Sequence, residues 1–227
     1  MKLIDFLSQY YYCLGLMVLV ETIALAVTIR YYRRHRILRV FPYYLAFSLL
    51  EVWAGFIFSV AGTHTPLKHA PGIIANIFML FEYTLCNFFI LSQISSKGRR
   101  KAIYINSLIF VSVLVFAISK NYHFAYQATF FFFESIFLLL PCLLYFYELF
   151  VSVQPAPLKD QPSFWVVTGF LFLNACSIPM LMTVARAGQY HAAVYSLNYI
   201  LYSIFSILLI RAYRCPPQNR PVHAPAR

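Results

Sequence analysis

Residues 11–39 read YYCLGLMVLVETIALAVTIRYYRRHRILR. About twenty mostly apolar residues run straight into a segment holding Arg30, Arg33, Arg34, Arg36 and Arg39. An α-helix rises about 1.5 Å per residue, so about twenty residues cross a hydrocarbon core about 30 Å thick. A cationic run at one end is what fixes such a helix at the inner membrane surface. The only acid in the apolar stretch, Glu21, stands near its middle.

The same pattern repeats along the chain. The segment 11–31 is followed by apolar segments at 40–61, 73–94, 102–118, 124–150, 163–184 and 192–212. Of the 227 residues, 61% are hydrophobic and 11% charged, against about 25% charged in soluble domains. The chain therefore reads as an all-α integral membrane bundle of seven transmembrane helices. Residues 1–212 form the membrane domain, and 213–227, with four prolines, read as a disordered cytoplasmic tail. Residues 1–9 carry Lys2 and Asp5, and no small-residue cleavage site follows the first apolar run. The first helix is expected to stay in the mature protein.

Orientation follows from the cations. One side takes the five arginines above, the run Lys97, Arg99, Arg100 and Lys101, then Lys159, Arg211, Arg214, Arg220 and Arg227. The other side takes only Lys2, Lys68, Lys120 and Arg186. The positive-inside rule puts the N-terminus outside and the C-terminus in the cytoplasm. The net charge of +11 is thereby explained by helix ends, so nucleic acid is not an expected partner; the lipid bilayer is. Aromatic residues at the span ends, such as Tyr10 to Tyr12 and Tyr43 with Tyr44, suit the headgroup level.

The acids carry the functional signal. Glu21, Glu51, Glu82 and Glu134 each lie about ten residues from the end of a predicted span, in the first, second, third and fifth helices. Asn174 and Asn198 fall at the same level in the sixth and seventh. An ionised carboxylate at that depth costs a few kcal/mol or more, so the four are predicted to face the bundle interior. Helical spacing extends the layer. Tyr44, Ser48, Glu51, Gly55 and Ser59 line up in the second helix; Glu82, Cys86 and Gln93 in the third; Gln127, Glu134, Pro141 and Glu148 in the fifth. His191, Tyr195, Asn198, Tyr202 and Ser206 do so in the seventh. The candidate ligand or proton site is Glu21, Glu51, Glu82, Glu134, Asn174, Asn198 and Tyr202, with kinks expected at Pro141 and Pro179.

His64, His69, His123 and His191 map to the outer side, but their spacing matches no zinc motif, so no metal or cofactor is expected. The five cysteines form no CxxC pair and read as small buried hydrophobes, with Cys215 a minor candidate for acylation. The last segment has no lysine for a retinal Schiff base, and the chain has no GxSxG, phosphate loop or dinucleotide fingerprint. An enzyme is not expected.

The segment Pro162 to Phe172, PSFWVVTGFLF, and the ending Leu208 to Cys215, LLIRAYRC, resemble small seven-helix membrane proteins of Bacteroidetes-type bacteria and the membrane portions of sensor histidine kinases. The helix preceding Pro162, with its acidic outer half, fits the same pattern, and the clear match covers about thirty residues. It implies a sensory or accessory module in a bacterial inner membrane, working with a separately encoded signalling protein, because no kinase domain follows residue 212. The lack of an N-x-S/T sequon suits that setting. Three functions stay open. A sensor would bind a ligand or proton in the polar layer; a small proton-coupled transporter would use the same carboxylates as a relay; a structural subunit would use them only to hold helices together.

Overall fold

The structure, a computed structural model, describes residues 3–61, 70–120, 127–152, 157–187 and 192–216. Seven α-helices account for most of them: α1 (Leu3–Arg30), α2 (Phe41–Ala61), α3 (Ala70–Gln93), α4 (Lys97–Lys120), α5 (Gln127–Val151), α6 (Pro162–Ala187) and α7 (Ala192–Arg214). Short 3-10 turns occupy Arg36–Leu38 and Leu158–Asp160. No strand occurs among the described residues.

Six helices are long and apolar enough to cross a membrane: Tyr10–Arg30, Arg36–Ile57, Gly72–Gln93, Phe130–Val151, Pro162–Met182 and Ser196–Arg214. The chain is thus an all-helical bundle with the make-up of an integral membrane protein. α4 is not among the six. Its first turn holds Lys97, Arg99, Arg100 and Lys101, and several side chains of its last turn lie outside the described residues. This basic run is read from the sequence as a loop before a span at 102–118. It is instead helical, with Arg100 N–H bonded to Ser96 O at 3.0 Å, because lysine and arginine are good helix formers.

Packing inverts the pattern of a soluble protein. Leu19 and Ile23 of α1, Leu50 and Trp53 of α2, Leu108 and Val115 of α4 and Leu143 of α5 point outward. Glu21, Glu82, Asn106, Glu134 and Ser206 point inward. Such an outer surface fits lipid rather than water.

Helix neighbours run α1–α2, α2–α3, α3–α5, α5–α6, α6–α7 and α7–α1, which closes a ring of six. α4 lies outside the ring, against α5 and more slightly α3. Gly169 lets α6 and α7 approach closely: a Cβ there would stand 2.7 Å from Phe205 Cδ2. The Phe170 and Phe205 rings then pack with centroids 4.7 Å apart.

Pro141 sits inside α5 and has no N–H for the Phe137 carbonyl one turn earlier. Asn106 of α4 supplies the missing donor, its Nδ2 lying 2.8 Å from Phe137 O. Further along, Arg99 Nε reaches Glu148 Oε2 at 2.5 Å, and the Ser95 hydroxyl donates to the same carboxylate. Tyr83 stacks on Phe110 at 4.0 Å, joining α3 to α4.

The basic end is tied together by long-range bonds. His35 Nε2 donates to Tyr213 O at 3.2 Å, and Tyr213 Oη donates to Leu38 O at 2.5 Å. Trp165 Nε1 and the Cys215 thiol both donate to Lys159 O, at 2.8 and 3.6 Å. α7 therefore continues two residues past the predicted boundary at 212, because Tyr213 has a buried place to go. The Cys215 thiol is buried and pushed above the usual thiol range by that burial, which sets it apart from an accessible acylation site.

Candidate functional site

Glu82 is the centre of the polar interior. It comes from the middle of α3, the helix that touches four others in the bundle. Its two carboxylate oxygens accept from two phenols: Tyr44 of α2 donates to Oε1 and Tyr202 of α7 donates to Oε2, each at 3.1 Å. The second bond crosses the ring, since α3 and α7 are not ring neighbours. Tyr44 is held rigidly for this task. Its ring is fully buried, with Phe78 and Phe205 each 5.7 Å away between centroids.

Glu21 of α1 is fully buried and accepts from the Ser48 hydroxyl of α2 at 3.1 and 3.2 Å to its two oxygens. Ser48 lies one turn from Tyr44, so one face of α2 serves both carboxylates. Glu51 lies one turn from Ser48 on the other side and is half-buried. Glu134 of α5 is 3% exposed, and its Oε1 has no hydrogen-bond partner among the described residues.

The four carboxylates come from four successive neighbours in the ring, α1, α2, α3 and α5. Among the described residues no lysine, arginine or histidine bonds to any of the four. An ionised carboxylate buried among helices without a cationic partner is costly, so such a group favours neutralisation by a proton or by a bound cation.

Other predicted site residues stand differently. Asn174 is buried but donates its Nδ2 to Phe170 O of its own helix at 2.8 Å, a local bond rather than a bridge to the carboxylates. Asn198 is half-buried, one turn from Tyr202 on α7. Ser206, one turn beyond Tyr202, is fully buried, and its Oγ has no partner among the described residues. His64, His69, His123 and His191 lie outside the described residues, as does the side chain of Gln127. Among the described residues no three metal-ligating side chains gather. The stripe on α5 holds for Glu134, Pro141 and Glu148, all buried, but Glu148 belongs to the ion pair with Arg99 at the helix end. Cys86 of α3 and Cys142 of α5 are buried free thiols.

Comparison with protein-family models, with curated proteins and with solved structures finds no match.

Proposed function

We propose that the chain is a seven-crossing, sensor-like membrane protein with its N-terminus outside and its C-terminus in the cytoplasm. In this reading the glutamate group takes up a proton or a small cationic ligand, and the change is passed to a separate signalling partner at the basic face. The observation that carries the proposal is Glu134. A buried carboxylate oxygen with no donor among the described residues, on a helix packed against the one whose Glu82 already holds two phenols, can receive a proton or a cationic ligand. The resemblance of 162–172 and 208–215 to sensor kinase membrane portions supports the same reading and a bacterial inner membrane location.

Uptake at Glu82 and Glu134 has a direct route to helix movement. Glu82 is bonded to α2 and α7 at once, and α7 ends in the cluster of Tyr213, His35 and Leu38 at the basic face. A ligand that changes the Glu82 bonds favours one arrangement of these helices over another, which is the thermodynamic requirement for a switch.

Reconstituted protein tests this. A pH titration in proteoliposomes, followed by the infrared band of protonated carboxyl groups, is expected to show uptake that Glu82→Gln and Glu134→Gln each diminish. Proton and ion flux is measured on the same vesicles. Uptake without flux is the outcome expected of a sensor. Flux that the wild type shows and both variants lose replaces sensing with transport. Unchanged titration in folded variants makes the layer purely structural.

A further inference from the structure

Between α1 and α2, on the lipid-facing side at the basic end, runs an open groove of about 520 Å³. Its size is that of small-molecule sites, about 300–1,000 Å³. Its walls divide by chemistry. Leu25 and Ile29 of α1 and Pro42 and Ala46 of α2 make an apolar trough, in which the small Ala46 side chain leaves room. At the lip stand Arg30 and Arg33, with Tyr32 and Tyr43. Both arginines are exposed, and neither has a carboxylate partner among the described residues. No acid lines the groove among the described residues.

We propose that this groove is a binding site for one anionic phospholipid, with the headgroup phosphate between Arg30 and Arg33 and an acyl chain in the trough. An occupant must be apolar over the length facing Leu25, Ile29 and Ala46, and must end in an anion at the height of the arginines. A soluble anion satisfies only the second condition, and an apolar molecule only the first. Guanidinium groups bind phosphate oxygens in pairs of parallel hydrogen bonds, which favours arginine at such a lip. Basic pockets between transmembrane helices on the cytoplasmic side are recurrent sites for acidic headgroups. With no acid to receive an ammonium, the groove discriminates against zwitterionic lipids. The site is separate from the glutamate layer and does not depend on it.

The test is native mass spectrometry of the full chain released from vesicles of equal phosphatidylglycerol and phosphatidylcholine. Wild type is expected to retain one phosphatidylglycerol through mild delipidation. Arg30→Gln with Arg33→Gln is expected to weaken retention about thirtyfold, from about 1 kcal/mol per cation near an acidic headgroup. Ala46→Trp, which fills the trough and leaves both arginines, is expected to abolish it, so the groove can be judged even where the arginine pair impairs folding. Lys97→Gln with Lys101→Gln, which removes two exposed cations elsewhere, is expected to leave retention intact. Equal loss in the lysine pair, equal retention of the two lipids, or retention in Ala46→Trp overturns the site. Displacement by millimolar inorganic phosphate makes it a soluble-anion site and overturns the lipid assignment.

Discussion

At the residue scale the packing of α6 on α7 rests on the absence of one methyl group. Gly169 leaves the space that the Phe205 ring fills. Gly169→Ala is expected to destabilise the bundle by about 1–3 kcal/mol, the usual cost of overpacking. Phe205→Leu in the same chain is expected to return part of that loss, since it removes the ring atoms in conflict. Thermal unfolding in detergent of both singles and the double reads this; additive losses would mean that the close approach is not what Gly169 provides. His35 gives a second expectation. Its ring is 5% exposed, and burial holds it below the ordinary histidine value of 6.5. The folded state thus keeps His35 neutral at pH values where the unfolded chain already binds a proton. Stability contributed by this residue is intact above 6.5 and is lost as pH falls through 6.5 toward the lower folded value. The difference in melting temperature between wild type and His35→Gln is expected to shrink or reverse in that acid window. A constant difference across it would assign His35 a role independent of its charge.

At the element scale the position of α4 is set by a defect in α5. Pro141 deprives the Phe137 carbonyl of its donor, and Asn106 replaces it from the next helix. Asn106→Leu is expected to cost about 0.6 kcal/mol, the average for an interhelical bond in a membrane bundle. In a Pro141→Ala background, where the restored backbone N–H serves Phe137 O, the same change is expected to cost less. A double-mutant cycle measures this coupling, and additivity would sever the link between the proline and the asparagine. This arrangement was only half legible in the sequence. The helices themselves were plain, because apolar length and terminal cations are set by the bilayer. The inward turn of Glu21, Glu82 and Glu134 was plain for the same reason: no other direction is tolerable for a carboxylate. Tyr44, Ser48 and Tyr202 could be placed on polar stripes, but not paired with Glu82 and Glu21. Spacing fixes the face of one helix and says nothing of which helix lies opposite. The exclusion of α4 from the ring had a faint signal, since 102–118 carries no acid where four other helices do. A helix that does not line the interior has no need of one. The pairing of Arg99 with Glu148 was hidden because the basic run served topology well enough unpaired.

At the scale of the molecule, the count of crossings turns on α4. Its contacts with α5 descend in register: Arg99 meets Glu148, and both Asn106 and Phe110 meet Phe137, with the two rings 5.6 Å apart. A residue number that rises on α4 therefore falls on α5, so the two helices lie antiparallel and side by side. α5 has the length and hydropathy of a membrane span. A helix packed along it occupies the same slab of bilayer, which supports a seventh crossing despite the basic first turn of α4. The seven crossings proposed would put the two chain ends on opposite sides, with the arginines of 30–39, the cations of 97–101 and Arg211 and Arg214 all on one face. Single cysteines introduced at Ser96 and Asn121 in a background without native thiols separate the alternatives. With an impermeant maleimide applied to intact cells, Asn121→Cys is expected to be labelled and Ser96→Cys to be protected until the membrane is opened. Labelling of both from outside would mean that α4 does not cross, and would leave the basic runs on different sides of the membrane. The partner-facing surface proposed at the cytoplasmic end would then have no single face on which to form.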